Sequence, residues 1–302
     1  MEKMNKRIEQ QQRVAEIDAR YEFMMSSVHE LGRLAWEHIN DGIEMHLKPD
    51  GTKVTTADIA LNEAFIDMVE GAYPGDLVWG EEKSNSEKNN LTEADQHWMW
   101  LIDPIDGTSG FWRSYENNKQ YEDSRANIMV TGFAPGESLP TMSVIANPFV
   151  KVPVDISAVH GKTIYNNGWR FPAREVTVKG RRRYGPTTEL ADVVAFEKNW
   201  WPGSLPDLSR IGDFMPRADK LDHPLFLGSV ALADVEVSAF PGPTNPHDVS
   251  PGALIVHNAG GAVRTFSGED YKDVDWRLYP INGVVAAQTP ELADALIEKL
   301  VA

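Results

Sequence analysis

The sequence predicts an α/β or α+β fold built as a layered αβαβα sandwich. Three observations carry this. A helix-period apolar pattern opens the chain, strand-like runs fill its middle, and helical and strand patterns alternate towards its end.

From residue 14 to 46, Val14, Ile17, Tyr21, Met24, Val28, Leu31, Ala35 and Ile39 step by three and four, which predicts one long amphipathic helix with a polar face left to water. Pro49-Asp50-Gly51 suits a turn after it. A second helix is expected after Thr55-Thr56-Ala57-Asp58, with Leu61, Phe65, Met68 and Val69 as its apolar path, closed between Gly71 and Gly75. Strands are then expected at 77–79, running into Gly80-Glu81-Glu82, and at 98–102, running into Asp103-Pro104-Ile105-Asp106-Gly107-Thr108. Further strands are expected at 126–133, 142–146, 152–159 and 193–196. Helical texture returns at 228–240 and 250–259, and a strand and a closing helix at 290–301 complete the pattern.

The 302 residues form about two typical domain lengths, yet no linker separates them. We read 1–302 as a single unit, with a weaker division into 1–175 and 176–302 near Arg174 to Arg183. Hydrophobic residues at 42% supply enough material for a sizeable core. A formal net charge of −16 argues against nucleic-acid polymers and anionic membranes as partners, unless bound cations reverse the field locally. The absence of cysteine removes disulfides, thiolate metal sites and cysteine nucleophiles together, and fits a cytoplasmic address. Residues 1–20 are charged and Gln-rich, unlike a signal peptide, and no run approaches a membrane span.

The chemistry-bearing residues are carboxylates. In Trp100-Leu101-Ile102-Asp103-Pro104-Ile105-Asp106-Gly107-Thr108 a buried-looking strand ends in two aspartates. Ligands gather at such strand ends. Pro104 fixes φ and Gly107 relaxes it, so the turn can aim both carboxylates and the Ile105 carbonyl inward as hard oxygen donors for Mg²⁺. An Asx-type turn at a strand exit is the plainer reading. Glu81 and Glu82 follow a strand too, and adjacent residues of an extended chain face opposite ways, so one would bind metal while the other supports it or meets water. A solvated charged loop is the alternative. Asp248, in Pro246-His247-Asp248-Val249-Ser250-Pro251-Gly252, reads as a helix N-cap, a position compatible with an anion site.

Taken together these blocks resemble the inositol-monophosphatase superfamily of Mg²⁺-dependent, lithium-sensitive phosphatases. Gly80-Glu81-Glu82 resembles its G-E-E block, residues 100–111 (WLIDPIDGTSGF) its W-x-x-D-P-[IL]-D-G-T-x-x-F signature, and residues 246–261 (PHDVSPGALIVHNAGG) its later D-containing, A-G-G-ending block. Residues 54–58 and 228–232 match two lesser blocks. The resemblance implies a homodimeric phosphomonoesterase of the sugar-phosphatase fold, acting on a small phosphate ester such as an inositol or sugar phosphate. Two or three Mg²⁺ ions are implied. Glu81, Asp103 and the Ile105 carbonyl would hold the first, Asp103, Asp106 and Asp248 the second, and Glu81 a loosely bound third. Thr108, oriented by Asp58, would position and help deprotonate the attacking water. The N–H groups of Gly107 and Thr108, with Ser109, would meet the phosphate, and Gly228 and Ser229 the organic part.

The pattern also departs from the family. His247 stands where tryptophan is usual, and Pro251 follows in what would be the first helical turn. Pro241 falls where inositol monophosphatases carry a substrate-facing glutamate, and residues 242–245 resemble bacterial 3′,5′-bisphosphate nucleotidases, so a 3′(2′),5′-bisphosphate nucleotidase is the alternative activity. An inactive metal-binding homologue is a further one. The stretch 112–125 is longer than usual and holds Trp112, Arg113, Tyr115, Lys119, Tyr121 and Arg125, which could recognise a second anionic group or form a surface excursion. Arg181-Arg182-Arg183 reads as a solvated charge run, and Trp200-Trp201 as packing residues.

Overall fold

A computed structural model describes residues 2–117, 126–168, 174–176, 195–196, 227–231, 237–240 and 243–301. Helix α1, Glu2–Asp41, buries one stripe, Ile17, Met24, Val28, Leu31, Ala35 and Ile39, while Val14 stays 43% exposed, so the core-facing part begins a turn later than its apolar pattern does. The hairpin of β1, Met45–Leu47, and β2, Lys53–Thr55, leads into α2, Thr56–Ala72, which buries Leu61, Phe65 and Val69. These two helices cover one face of a seven-stranded sheet.

That sheet runs in sequence order: β3, Leu77–Gly80; β4, Met99–Asp106; β5, Asn127–Phe133; β6, Met142–Asn147; β7, Val154–Val159; β8, Lys162–Asn167; β9, Arg174–Val176. The β3/β4 pair is parallel and the others antiparallel. A short helix, α3, Leu91–Ala94, joins β3 to β4, and α4, Thr108–Glu116, follows β4. Helix α1 is anchored across the sheet by Arg20, whose Nε and Nη2 donate to Asp76 at 3.2 and 3.1 Å, with Trp100 Nε1 donating to Asp76 at 3.0 Å. A charge pair this buried stays stable only because every partner is hydrogen-bonded.

The other face of the sheet packs on α6, Pro246–Asn258, and on the short turn α5, Gly228–Ala231. Beyond them lies a four-stranded sheet ordered β10, Ala195–Phe196; β11, Val237–Phe240; β13, Val284–Ala287; β12, Ala262–Thr265. Helix α7, Pro290–Val301, closes the outer face over Val237, Ala239, Val285 and Ala287. Helix pair, sheet, helix, sheet and helix give the expected αβαβα layering.

Several expectations change. The helical texture at 228–240 resolves into α5 and strand β11, because Val237 and Ala239 alternate with Ser238 and the run pairs with β13. Strand β4 runs on through Pro104 to Asp106, since a register shift between Asp103 and Asp106 absorbs the proline as a bulge does. Helix α6 begins at Pro246, so Pro251 lies inside it rather than in its first turn. Beside that proline the Ser250 hydroxyl has two carbonyl acceptors for its single hydrogen, Pro246 at 2.5 Å and Trp276 at 2.9 Å. Within 112–125, residues 112–116 are the end of α4, and Trp112 and Tyr115 pack against the helix-side core, 5.4 Å apart. Lys119, Tyr121 and Arg125 lie outside the described residues, as do Arg181 to Arg183, Trp200, Trp201, Leu232, Pro241 and Gly242.

Candidate metal centre

The bend after β3, strand β4 and helix α6 deliver the predicted carboxylates to one cavity of about 450 Å³, whose walls include Glu81, Asp103, Ile105, Asp106, Gly107, Thr108, Ser109 and Asp248. The bulge in β4 does the first part of this work. It leaves Asp103 and Asp106 opposite Met129 and Asn127, with Asp103 2% and Asp106 8% exposed. The Ile105 N–H donates to Asp103 Oδ1 at 3.1 Å, so the Asx-type turn is present at the same residues that line the cavity.

Gly107 adopts φ 85°, the left-handed region, and caps α4 without a side-chain bond. A residue with a Cβ would be strained there. The first-turn N–H groups of Thr108 and Ser109 have no carbonyl of a preceding turn to bond, which makes this helix start an anion-accepting edge. Thr108 Oγ1 lies 3.0 Å from Asp58 Oδ1 and 3.0 Å from the Ile105 carbonyl, so its single hydrogen has two acceptors. Asp58 is itself fixed by a capping box at the start of α2. Its Oδ2 accepts from the Thr55 N–H at 2.8 Å and from the Thr55 hydroxyl, and its N–H returns a bond to Thr55 Oγ1.

Glu81 and Glu82 behave differently from the alternation expected of a strand. Strand β3 ends at Gly80, the following residues bend, and Lys48 Nζ reaches both carboxylates, at 2.7 and 2.6 Å. Both glutamates thus face one cation. Asn62 holds the bend: its Nδ2 donates to the Lys83 carbonyl at 3.0 Å and its Oδ1 accepts from the Glu82 N–H at 3.2 Å. A Cβ at Gly80 would stand 2.2 Å from Asn62 Oδ1 and 2.3 Å from the Lys83 carbonyl, so only glycine allows this approach. Asn62 and Lys48 were not singled out in the sequence, because neither lies in a block of the pattern.

Asp248 is the third residue of α6, and Asn245 takes the cap position assigned to it. Thr244 Oγ1 donates to Asp248 Oδ2 at 3.1 Å. Gly228 is buried in α5, which packs on α6, and is not among the wall residues of this cavity; the Ser229 side chain lies outside the described residues. Lys53, Lys88, Asn245 and His247 also contribute to the walls.

Burial and the mutual repulsion of Glu81, Asp106, Asp248 and Asp58 push the Asp103 carboxyl well above its ordinary range. Burial likewise raises Asp248, although the His247 ring counters it. Asp58 is pushed up to about 7, chiefly by burial, against the hydrogen bonds from Thr55 and Thr108. Burial works to raise Glu81 too, but His247, Lys48 and Asp103 outweigh it and hold it below the usual carboxylate range. Lys48 offsets part of this negative charge, and the two glutamates raise its ammonium despite burial. The residual excess of buried carboxylate, all oxygen donors, fits one or more divalent cations.

A family model for the inositol monophosphatase family matches residues 16–302. A Streptomyces griseus protein named glucose-1-phosphate thymidylyltransferase is 24% identical over 274 residues, 83% of this chain and 87% of its own. A Thermotoga maritima fructose-1,6-bisphosphatase/inositol-1-monophosphatase is 24% identical over 292 residues, 93% of this chain and 98% of its own. The crystal structure of an IMPase/NADP phosphatase complexed with Mg²⁺ and phosphate superposes with a TM-score of 0.66 at 17% identity, over 95% of this chain and 96% of that one. With its five layers and a match across nearly its whole length, the chain belongs to the inositol monophosphatase family.

Proposed function

We propose that the protein is a Mg²⁺-dependent phosphomonoesterase that hydrolyses a small phosphorylated metabolite by direct attack of water. One observation carries this reading: the carboxylates of Glu81, Asp103, Asp106 and Asp248 line one cavity with the Thr108–Asp58 pair and the start of α4. Glu81, Asp103, Asp106, Asp248 and the Ile105 carbonyl would hold two Mg²⁺ ions, with Glu81 serving a third. Bound Mg²⁺ supplies charge neutralisation at the phosphoryl oxygens and acidifies the attacking water. Thr108 orients that water through its hydroxyl, and ionised Asp58 takes the Thr108 hydrogen so that the oxygen faces water as an acceptor. The N–H groups of Gly107, Thr108 and Ser109 receive the phosphate. Ser229 would lie near the organic part, with Gly228, which is not among the cavity's wall residues, supporting it through packing. Ligands from both halves of the chain build this site, so the functional unit is 1–302; a homodimer is the expected assembly, checked by light scattering.

A second substrate reading is a doubly charged ester, a bisphosphorylated sugar or a 3′(2′),5′-bisphosphorylated nucleotide. It draws support from Lys53 and Lys88, which add cationic walls to the cavity beyond Lys48, and from the relatives named as a fructose-1,6-bisphosphatase and as an NADP phosphatase. Of the cations offered for this role in the sequence, Arg113 is on α4 and not among the wall residues, while Lys119 and Arg125 lie outside the described residues. Phosphate release over inositol phosphates, sugar mono- and bisphosphates, histidinol phosphate and nucleoside bisphosphates, each with Mg²⁺ or Mn²⁺, tests both readings. The expected result is metal-dependent release from at least one class. A folded protein that releases phosphate from none of them is the inactive homologue instead.

A further inference from the structure

Among the described residues of the cavity wall, His247 is a buried ligand-type side chain that the hydrolytic reading leaves without a task. It is 7% exposed, and its Nε2 has no hydrogen-bond partner; the nearest carboxylate oxygen, Asp248 Oδ1, is 3.4 Å away. That is long for a directed N–H···O bond. A buried polar atom left unmet costs stability unless something occupies the space it faces. What it faces is the carboxylate cluster. One donor atom each of Glu81, Asp103 and His247 lie within 4.8 Å of one another. Donors about 2.1 Å from a shared octahedral ion stand roughly 3 to 4 Å apart, so a small closure brings all three to a single ion.

An imidazole changes which ion that is. Mg²⁺ takes oxygen donors almost exclusively, whereas imidazole nitrogen suits first-row transition ions. The tryptophan that the family pattern usually places here has no lone pair available for a metal. We infer that His247 is a ligand to the ion held by Glu81 and Asp103, giving this chain a mixed nitrogen–oxygen site that prefers Mn²⁺, Co²⁺ or Zn²⁺ over Mg²⁺. The inference rests on the carboxylate cluster being a metal centre but not on the identity of the substrate. The position of His247 within α6 supports it: as the second helical residue it precedes Asp248, so one helix start delivers two ligands to the cavity.

The test reads coordination directly. The full-length protein, stripped with a chelator, is loaded with one equivalent of Mn²⁺ and examined by pulsed electron paramagnetic resonance for ¹⁴N coupling. A directly bonded nitrogen signal is expected in the wild type and should vanish in His247→Phe. In competition titrations the preference for Mn²⁺ over Mg²⁺ should fall by about tenfold or more in His247→Phe, the scale on which ligand shells alter affinity. Mg²⁺ affinity should change much less. His247→Gln, which keeps a polar side chain, repeats the comparison if the phenylalanine variant is poorly folded. Bound Mn²⁺ with oxygen coordination only, or a nitrogen signal that survives both substitutions, overturns the inference while leaving the phosphatase reading intact. Failure to bind Mn²⁺ and Mg²⁺ at all overturns both.

Discussion

Asp103 and Thr108 are 2% exposed and part-buried neighbours in the same cavity, yet their substitutions should fail in opposite ways. Asp103→Asn removes a charge without removing volume. We expect more than a ~100-fold loss of turnover, beyond what a change outside the ligand shell produces. The metal-free variant should also melt higher than metal-free wild type, because a carboxyl raised by burial and repulsion no longer has to be accommodated. Thermal melts with and without Mg²⁺ check this: the variant should show a higher baseline and a smaller Mg²⁺-induced rise. Wild-type turnover at saturating Mg²⁺ would remove Asp103 from the metal centre. Thr108→Ala should instead leave the Mg²⁺ titration nearly unchanged and lower kcat by roughly 10²-fold, the usual scale of proton-transfer assistance. Thr108→Ser should recover most of it, and an altered KM with unchanged kcat would move Thr108 to substrate binding. The ligand-type residues were legible because each occupies a short block whose spacing matters. Lys48, Asn62 and His247 were not read as site residues. Their partners are far away in sequence, and a lysine, an asparagine or a histidine alone carries no spacing to recognise.

At the scale of elements, the bend after β3 depends on one close approach. Gly80→Ala places a Cβ against Asn62 Oδ1 and the Lys83 carbonyl, a backbone atom that cannot rotate away. Overpacking of this kind costs about 1–3 kcal/mol. The bend should also open, so Mg²⁺ affinity should fall along with the urea midpoint; an unchanged metal titration would show that Glu81 does not depend on the bend. Elements with a strong period were readable from sequence: α1, α2, α7 and the strands β3, β5, β6 and β7 occur near their expected places. Strands β1, β2, β8, β9 and β12 were missed, and the first helix ends at Asp41 rather than running on to 46. Lys162–Asn167 carries polar residues and lies towards one edge of the large sheet, where pairing rather than burial defines it. The extent of β4 was hidden by Pro104, which reads locally as a stop and is tolerated only because of the bulge.

For the whole molecule, the carboxylate cluster predicts how stability follows pH. Asp58 has a folded pKa of about 7, raised above its unfolded value by burial, and Asp103 and Asp248 move in the same direction. A group raised on folding stabilises fully below its unfolded pKa and loses that contribution as pH climbs through the folded one. Metal-free protein should therefore lose stability between about pH 4 and pH 7. A tenfold change in acidity between the unfolded and folded states corresponds to about 1.4 kcal/mol, so Asp58 alone contributes on the order of a few kcal/mol. Glu81 works in the opposite sense and softens the trend. Saturating Mg²⁺ should flatten it. Melting temperatures from pH 4 to 8, with chelator and with Mg²⁺, check the sign; a metal-free protein that gains stability with rising pH would contradict a cluster of raised carboxyls.

Helix α6 lies between the two sheets and carries Asp248 to carboxylates supplied by the first half of the chain. This has a consequence for how the protein acquires its activity in time. The seven-stranded sheet is assembled from near neighbours in sequence and can form early, whereas docking α6 closes a very long loop. During refolding from denaturant, strand signal and burial of Trp100 should recover first, and Mg²⁺ binding with turnover should follow as a separate, slower phase. Stopped-flow fluorescence against sampled enzyme assays would separate the two, and simultaneous recovery would mean that both halves of the chain fold in one cooperative step.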